Sequence, residues 1–77
     1  MNSVINLCGE QIAKLRNSQN PSLTQEKLAA KLQRAGLDLD RVAIAKIETK
    51  KRRVYDYEIA TFAKVLNVSP STLLGYE

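Results

Sequence analysis

The chain has no histidine and only one cysteine, Cys8, among its 77 residues. Without an imidazole it has no side chain for the common His-based metal sites or for general-base catalysis by histidine. A single cysteine cannot form an internal disulfide, so the framework that stabilises small secreted domains is missing. These absences argue against an enzyme or a metalloprotein and favour a reducing, cytoplasmic location.

Long hydrophobic runs are also missing. No apolar run approaches the roughly 18 residues that span a membrane, and residues 1–12 lack the basic start and long apolar stretch of a signal peptide. A chain of 77 residues suits one domain and buries too little surface for a deep catalytic cleft. We therefore expect a single soluble domain, residues 1–77, that binds a partner. The sequence indicates no cofactor, no membrane association and no small-molecule ligand.

Positive charge exceeds negative charge, with 12 Lys and Arg against 8 Asp and Glu and a formal net charge of +4. The excess is concentrated in residues 41–53, where six basic residues and one acidic residue give a local charge of +5. The charged residues of this segment are Arg41, Lys46, Lys50, Lys51, Arg52, Arg53 and Glu48. Such a basic segment favours an anionic partner, although a merely solvated linker has the same composition.

Apolar residues follow helical spacing, and no stretch shows strict alternation or an Asn-Gly hairpin signal, so the sequence predicts an all-α class. Ile5, Cys8, Ile12 and Leu15 form one face of a first helix, which ends before the polar residues 17–21. The place of Cys8 in this apolar row predicts a buried, structural thiol.

The second helix has clear signals at both ends. Thr24 is a good N-cap, and Leu23 and Leu28 have the spacing of a hydrophobic staple. Gly36 suits a left-handed stop after the helix. The predicted apolar stripe consists of Leu28, Ala29, Leu32 and Ala35.

The third helix repeats this pattern, with Asp40 as N-cap and Leu39 and Ile44 as staple. Ile44 and Ile47 point inward by their spacing. The residues that lie toward the other side are Arg41, Val42, Ala45 and Lys46. This helix is therefore expected to expose an unusual mixture of cations and small apolar side chains.

Two further helices complete the predicted set of five. Asp56 is the expected cap of the fourth helix, and Asn67 its expected end. Ser69 caps a last short helix, with Pro70 at the first helical position. The apolar face of the fourth helix consists of Ile59, Phe62, Ala63 and Leu66.

The order of residues from Gly9 to Leu74 resembles the Cro and phage-repressor type of helix-turn-helix DNA-binding domain, also called the xenobiotic response element (XRE) family. The resemblance implies a compact five-helix, lambda-repressor-like bundle with a helix-turn-helix at about residues 24–48. The helix that starts near Asp40 would enter the major groove, and a homodimer would bind two half-sites on double-stranded DNA. It also implies a bacterial or phage-encoded, nucleoid-associated transcription regulator. The matching residues are Ile12, Leu15, Arg16, Leu23, Thr24, Gln25, Glu26, Leu28, Ala29, Ile44, Lys46, Ile47, Glu48, Ala63, Leu66, Val68, Ser69, Leu73 and Leu74.

Site residues follow from the resemblance, position by position. The base-contacting positions fall on Arg41, Val42, Ala45 and Lys46. Gln25 falls where the family has a glutamine that touches a phosphate and braces the recognition helix, and Arg16 and Glu48 match an architectural ion pair. The basic residues behind the recognition helix are expected to contact phosphates as well: Lys50, Lys51, Arg52 and Arg53.

The sequence departs from the family pattern in two places. The connection from Gln33 to Asp40 is about five residues longer than the family's tight turn, so we expect a longer second helix and a wider connection. Lys50 stands where the family favours a glycine, which predicts strain or a reshaped turn.

Other interpretations of the same sequence stay open. The bundle could serve as a protein-interaction module, such as an antitoxin or adaptor, instead of a DNA-binding regulator. Tyr55, Tyr57 and Tyr76 either stack on bases or pack and face water. For a regulator, we expect repression, because a small bound domain can occlude a promoter but offers little surface for recruiting polymerase.

Overall fold

The computed structural model describes residues 8–75, and within this range the chain forms five helices and no strand. The helices are α1 (Gly9–Asn17), α2 (Gln25–Arg34), α3 (Arg41–Glu48), α4 (Asp56–Leu66) and α5 (Pro70–Leu73). The predicted all-α class and the number of helices are thus confirmed for the described range. Two residues with sequence predictions lie outside the described range. They are Ile5, predicted on the apolar face of the first helix, and Tyr76, predicted either to stack on bases or to pack and face water.

Three helices begin at side-chain caps that the sequence predicts. The hydroxyl of Thr24 accepts a hydrogen bond from the N–H of Lys27 at 3.0 Å, and the carboxylate of Asp40 accepts from the N–H of Ala43 at 2.9 Å. Ser69 caps α5 in the same way. Each such cap stabilises its helix by about 1 kcal/mol.

Two predicted helix ends are also confirmed, and one predicted core residue is wrong. Gly36, after α2, has φ of +96°, and Asn67, after α4, has φ of +61°. Both are left-handed, as residues that end helices often are. Ala35, predicted in the apolar stripe of α2, is exposed because α2 ends at Arg34 and Ala35 already belongs to the cap.

The start of α4 differs from the prediction by one position. Asp56 is the first helical residue, and Tyr55 is the N-cap. Glu58 carries out the capping, because its carboxylate reaches back to accept from the N–H of Tyr55 at 3.0 Å. Asp56 instead accepts from the N–H of Tyr57 at 2.7 Å. A carboxylate at the third helical position has thus taken the role expected of Asp56.

A single apolar core joins the five helices. Residues such as Ile12, Ile44 and Phe62 are fully buried, and α3 packs against both α1 and α2. Burying one such side chain stabilises the fold by roughly 1.5–3 kcal/mol. The core consists of Cys8, Ile12, Leu28, Ala29, Leu32, Leu37, Leu39, Ile44, Ile47, Phe62, Ala63, Leu66 and Leu73.

The thiol of Cys8 is buried, as its place in the apolar row predicts. Its exposed fraction is 1%. Burial raises the pKa of this thiol. A neutral thiol enclosed by the core acts as a small apolar side chain, so the structure supports a packing role for Cys8.

The connection between α2 and α3 is six residues long, 35–40, and two of its leucines are buried. Leu37 and Leu39 are 8% and 7% exposed. The Gln33 side chain donates to the carbonyl of Leu39 at 3.1 Å, and the N–H of Leu37 donates to the carbonyl of Leu32 at 2.9 Å. The long connection is therefore anchored to the core, which fixes the start of α3.

The described part of the chain measures 35 × 25 × 20 Å along its principal axes. Within it, every buried side-chain nitrogen and oxygen has a hydrogen-bond partner. None of the helices between residues 8 and 75 has the length and apolar character needed to cross a membrane.

Candidate functional site

The outer face of α3 carries the four side chains that the sequence predicts as base-contacting. Successive residues of a helix are about 100° apart, so positions i, i+1, i+4 and i+5 form one continuous face. On α3 this face is opposite Ile44 and Ile47, which are fully buried. The face consists of Arg41, Val42, Ala45 and Lys46. Ala45 is half-buried, and the other three side chains are exposed. We refer to these four residues as the outer face of α3.

An open groove lies beside the outer face of α3. Val42 and Ala43 contribute apolar side chains to its lining, and cationic side chains come from both α3 and the segment that follows it. Asp40 contributes the one negative charge among the lining residues. The lining residues are Asp40, Val42, Ala43, Lys46, Lys51 and Arg52. The lining of the groove thus combines two small apolar side chains with three cations.

An ion pair fixes the C-terminal end of α3. The guanidinium of Arg16, on α1, donates to both carboxylate oxygens of Glu48, at 2.7 and 3.0 Å. A third nitrogen of Arg16 donates to the carbonyl of Leu23 at 2.9 Å. The two side chains are 13% and 7% exposed, so solvent screens the pair weakly. The predicted architectural pair is therefore present with two-point geometry.

Gln25, the first residue of α2, also holds Glu48. Its side-chain amide donates to Oε1 of Glu48 at 2.9 Å. Glu48 thus joins α1, α2 and α3 at one carboxylate, which limits rotation of α3 about its own axis. The side chain of Gln25 is half-buried. It braces α3 as the family resemblance implies, and its contact with a phosphate stays a prediction.

Lys50 adopts the left-handed turn that the sequence predicts, with φ of +64°. The N–H of Lys50 donates to the carbonyl of Ile47 at 3.0 Å, and the N–H of Lys51 donates to the carbonyl of Lys46 at 2.8 Å. These two hydrogen bonds form the motif that usually places a glycine at this position. The ammonium group of Lys50 lies 3.3 Å from the carboxylate of Glu10, an exposed pair that contributes little to stability.

Arg52 has a structural partner that the sequence analysis missed. We call residues 49–55, between α3 and α4, the basic linker. The Arg52 guanidinium donates to both oxygens of the Glu58 carboxylate, at 3.0 and 2.9 Å, and to the carbonyl of Arg53 at 2.8 Å. These donors hold the basic linker against α4, and the contact of Arg52 with a phosphate stays a prediction.

The pKa of Glu58 reflects this contact. Burial by itself would raise the pKa, but the hydrogen bonds from Arg52 and from the N–H of Tyr55 outweigh burial and keep the pKa below its ordinary value of 4.5. The same hydrogen bonds to Glu58 raise the pKa of Arg52. Glu58 is therefore charged at neutral pH although its side chain is 2% exposed.

Four cations of α3 and the basic linker have no ion-pair partner among residues 8–75. They are Arg41, Lys46, Lys51 and Arg53, and all four are exposed. Of the six basic residues predicted to bind DNA in segment 41–53, these four carry charge that no acidic side chain in the described range offsets. These four unpaired cations thus lie together on the outer face of α3 and the basic linker. The other cations without an ion-pair partner in the described range lie on α1, α2 and α4: Lys14, Lys27, Lys31, Arg34 and Lys64.

Tyr55 and Tyr57 form a stacked pair on the surface at the start of α4. Their ring centroids are 5.9 Å apart and the ring planes differ by 1°. The exposed fractions are 47% and 61%. The two rings therefore contact each other and face solvent, and neither is buried in the core.

No family model, curated protein or solved structure matches the chain. Between residues 8 and 75, no cluster of three or more Cys, Asp or Glu side chains could hold a metal ion. A functional assignment therefore depends on the surface described above: the outer face of α3, the groove beside it and the four unpaired cations.

Proposed function

We propose that the chain is a sequence-specific regulator that binds double-stranded DNA, built like the Cro and phage-repressor domains, with α2 and α3 as its helix-turn-helix. In this proposal α3 enters the major groove and its outer face contacts base edges. The observation that carries the proposal is the outer face of α3, where Arg41 and Lys46 lie unpaired on either side of Val42 and Ala45.

The dimensions and chemistry of α3 suit the major groove. An α-helix with its side chains is about 10–12 Å in diameter, and the major groove is about 12 Å wide. Arginine and lysine are the usual donors to guanine O6 and N7, and each well-formed contact discriminates by roughly 1–3 kcal/mol. Ala45 adds no bulk in the centre of the outer face, so the helix backbone can approach the bases closely.

The charges next to α3 suit the phosphate backbone. Lys51 and Arg53 are exposed and lie on the basic linker directly after the recognition helix. Lys50 is an additional cation, since its surface pair with Glu10 exchanges readily with solvent. Each phosphate that a cation neutralises steepens the salt dependence of binding by about 0.9 in log–log slope.

Fixed hydrogen bonds prepare this surface for binding. Glu48 locks the end of α3 to α1 and α2, and the Arg52–Glu58 pair locks the basic linker to α4. Because both elements are already ordered, contact with DNA costs less conformational entropy than it would for a mobile segment. This supports α3 and the basic linker acting as one surface.

Homodimerisation and repression complete the proposal. An eight-residue helix contacts only a few base pairs, so a useful degree of sequence specificity requires two copies on a two-fold operator. A bound dimer of this small bundle would occlude a promoter, which makes repression the simpler outcome. The bundle offers little additional surface for recruiting polymerase.

Selection of bound sequences from a random pool of duplex DNA tests the proposal. The expected result is enrichment of a two-fold palindrome whose half-sites lie about one helical turn apart. A variant in which Glu replaces Arg41 serves as the matched negative control and should enrich no palindrome. If the native chain enriches no sequence and its residual DNA binding does not weaken with salt, the proposal is wrong and the protein-interaction alternative is favoured.

A further inference from the structure

One face of α4 points away from the core. The buried side of this helix contains Phe62 and Leu66, and the residues on the opposite side are exposed. Positions i, i+1, i+4 and i+8 of a helix lie within about 100° of one another, so these exposed residues form one continuous face. They are Asp56, Tyr57, Ala60 and Lys64. We refer to these four residues as the outer face of α4.

The outer face of α4 carries opposite charges at its two ends. Asp56 lies in the first turn and Lys64 in the last turn, and neither has an ion-pair partner among residues 8–75. Each is four residues from Ala60, which corresponds to about 6 Å along the helix axis. The face therefore has a small side chain at its centre, with an anion on one side and a cation at the same distance on the other.

A face of this kind is complementary to a second copy of itself. If two α4 helices lie antiparallel about a two-fold axis at Ala60, Asp56 of each copy lies opposite Lys64 of the other copy. The alanines at the crossing present only methyl groups, so the helix axes can approach to about 8 Å. A parallel arrangement would instead bring like charges together, which is unfavourable. The charge pattern thus favours one orientation and one partner.

Tyr57 adds apolar area next to the crossing. It is 61% exposed and stacks on Tyr55, which is 47% exposed. With Val42, these are the large apolar side chains that residues 8–75 expose, and Val42 belongs to the outer face of α3. Tyrosine is enriched at protein interfaces, because its ring gives a large contact area at a low cost in conformational entropy. The tyrosine pair therefore suits the edge of a protein interface.

We infer that the outer face of α4 is a dimerisation surface, and that its partner is a second copy of this chain packed antiparallel across Ala60. The inference rests on the proposed function for its partner, since that function requires a homodimer. One short helix from each copy forms a smaller contact than the standard interface of about 1,600 Å², so the dimer is weak in solution. Neither Asp56 nor Lys64 is a proposed phosphate contact, so loss of the ion pairs leaves the number of neutralised phosphates per chain unchanged.

Exchange of the two charges tests the ion pairs, with sedimentation equilibrium in the absence of DNA as the measurement. The native chain should dimerise with a dissociation constant between about 1 μM and 1 mM. Asp56→Lys and Lys64→Glu each bring like charges together twice per dimer, so each should weaken dimerisation at least about tenfold. The double variant restores opposite charges and should dimerise within about threefold of the native chain.

A further variant tests the crossing point. Ala60→Glu places two carboxylates against each other at the two-fold axis and should weaken dimerisation at least about tenfold. Ala30→Glu is the matched control, because Ala30 is an exposed alanine on α2, outside the proposed surface. It should leave dimerisation unchanged. Glutamate is a good helix former, so both variants should fold, and circular dichroism checks this.

The outcomes separate this inference from the proposed function. A native chain that stays monomeric up to about 1 mM overturns the inference and leaves the outer face of α4 to another protein or to solvent. A dimer that the variants do not weaken, or that the double variant does not restore, also overturns it. These results leave the DNA-binding function standing, because selection from random duplex DNA decides that function separately. A chain that dimerises as expected but enriches no DNA sequence keeps the interface and overturns the proposed function.

Discussion

The guanidinium of Arg52 donates to both carboxylate oxygens of Glu58, although the Glu58 side chain is 2% exposed. The carboxylate also accepts from the N–H of Tyr55, so one buried group caps α4 and anchors the basic linker. A buried carboxylate is costly unless it is paired and hydrogen-bonded, and this one is both. The pair thereby determines where Lys51 and Arg53 present their charges.

Removal of Arg52 should strongly destabilise the fold. Arg52→Ala leaves the Glu58 carboxylate buried without its counter-ion, so the free energy of unfolding should fall by about 2–3 kcal/mol. Urea unfolding followed by circular dichroism measures this loss. Arg53→Ala is the matched control, because Arg53 is exposed and has no ion-pair partner in the described range. Its effect should stay within about 0.5 kcal/mol. Equal effects of the two variants would contradict the structural role of Arg52.

The stability should depend on pH through Glu58. Its pKa is lower in the folded chain than its ordinary value of 4.5, so the unfolded chain takes up the proton first as the pH falls. The contribution of the pair is therefore complete above about pH 4.5 and is lost as the pH drops through the folded-state pKa. Urea midpoints measured from pH 7 to pH 3 should fall less steeply for Glu58→Gln than for the native chain. Parallel pH profiles would show that Glu58 does not contribute in this way.

Glycine at position 50 should stabilise the fold. Lys50 has φ of +64°, a conformation that costs a residue with a Cβ atom roughly 1 kcal/mol. Lys50→Gly should raise the unfolding free energy by about 0.5 kcal/mol. The gain is smaller than the strain removed, because glycine loses more conformational entropy than lysine on folding. The opposite change, Gly36→Ala at φ of +96°, should lower it by about 1 kcal/mol, because open space around Gly36 leaves only backbone strain. Thermal unfolding of both variants checks the signs, and a destabilising Lys50→Gly would be inconsistent with this explanation.

The cations of the basic linker should determine the salt dependence of DNA binding. Lys51→Ala and Arg53→Ala should each weaken binding to all duplex sequences and reduce the log–log salt slope by about 0.9. Lys64→Ala removes the same charge at the far end of α4 and should leave the slope unchanged. Titrations from low to high salt measure the slope. A reduction by Lys64→Ala as large as that by the two linker variants would mean that the basic linker has no special role.

Local chemistry explains which parts of the fold were predictable. Thr24, Asp40 and Ser69 cap helices with their own side chains, and Gly36 and Asn67 end helices through their own backbone preferences. Such signals depend on a few neighbouring residues, so they can be read from the sequence.

Longer-range contacts explain what could not be predicted. The capping role of Glu58 depends on Arg52, whose side chain folds back onto α4 and takes the counter-ion position. Leu39 was expected to pack as a staple residue, but nothing in the sequence indicated that Leu37 is buried. Both lie in the core because the connection folds against α2. The helix periodicity of α3 and the family resemblance both indicated its outer face. Which cations beside it are unpaired could be seen only from the arrangement of the three ion pairs.

The central claim, that the outer face of α3 contacts base edges, is tested most directly by Arg41→Ala. The affinity of this variant is compared with that of the native chain on the selected operator and on an unrelated duplex of equal length. We predict a loss of at least about tenfold on the operator, since a base contact is removed. On the unrelated duplex the loss should be no more than about threefold, because only one charge is lost there. Equal losses on the two duplexes would contradict the claim.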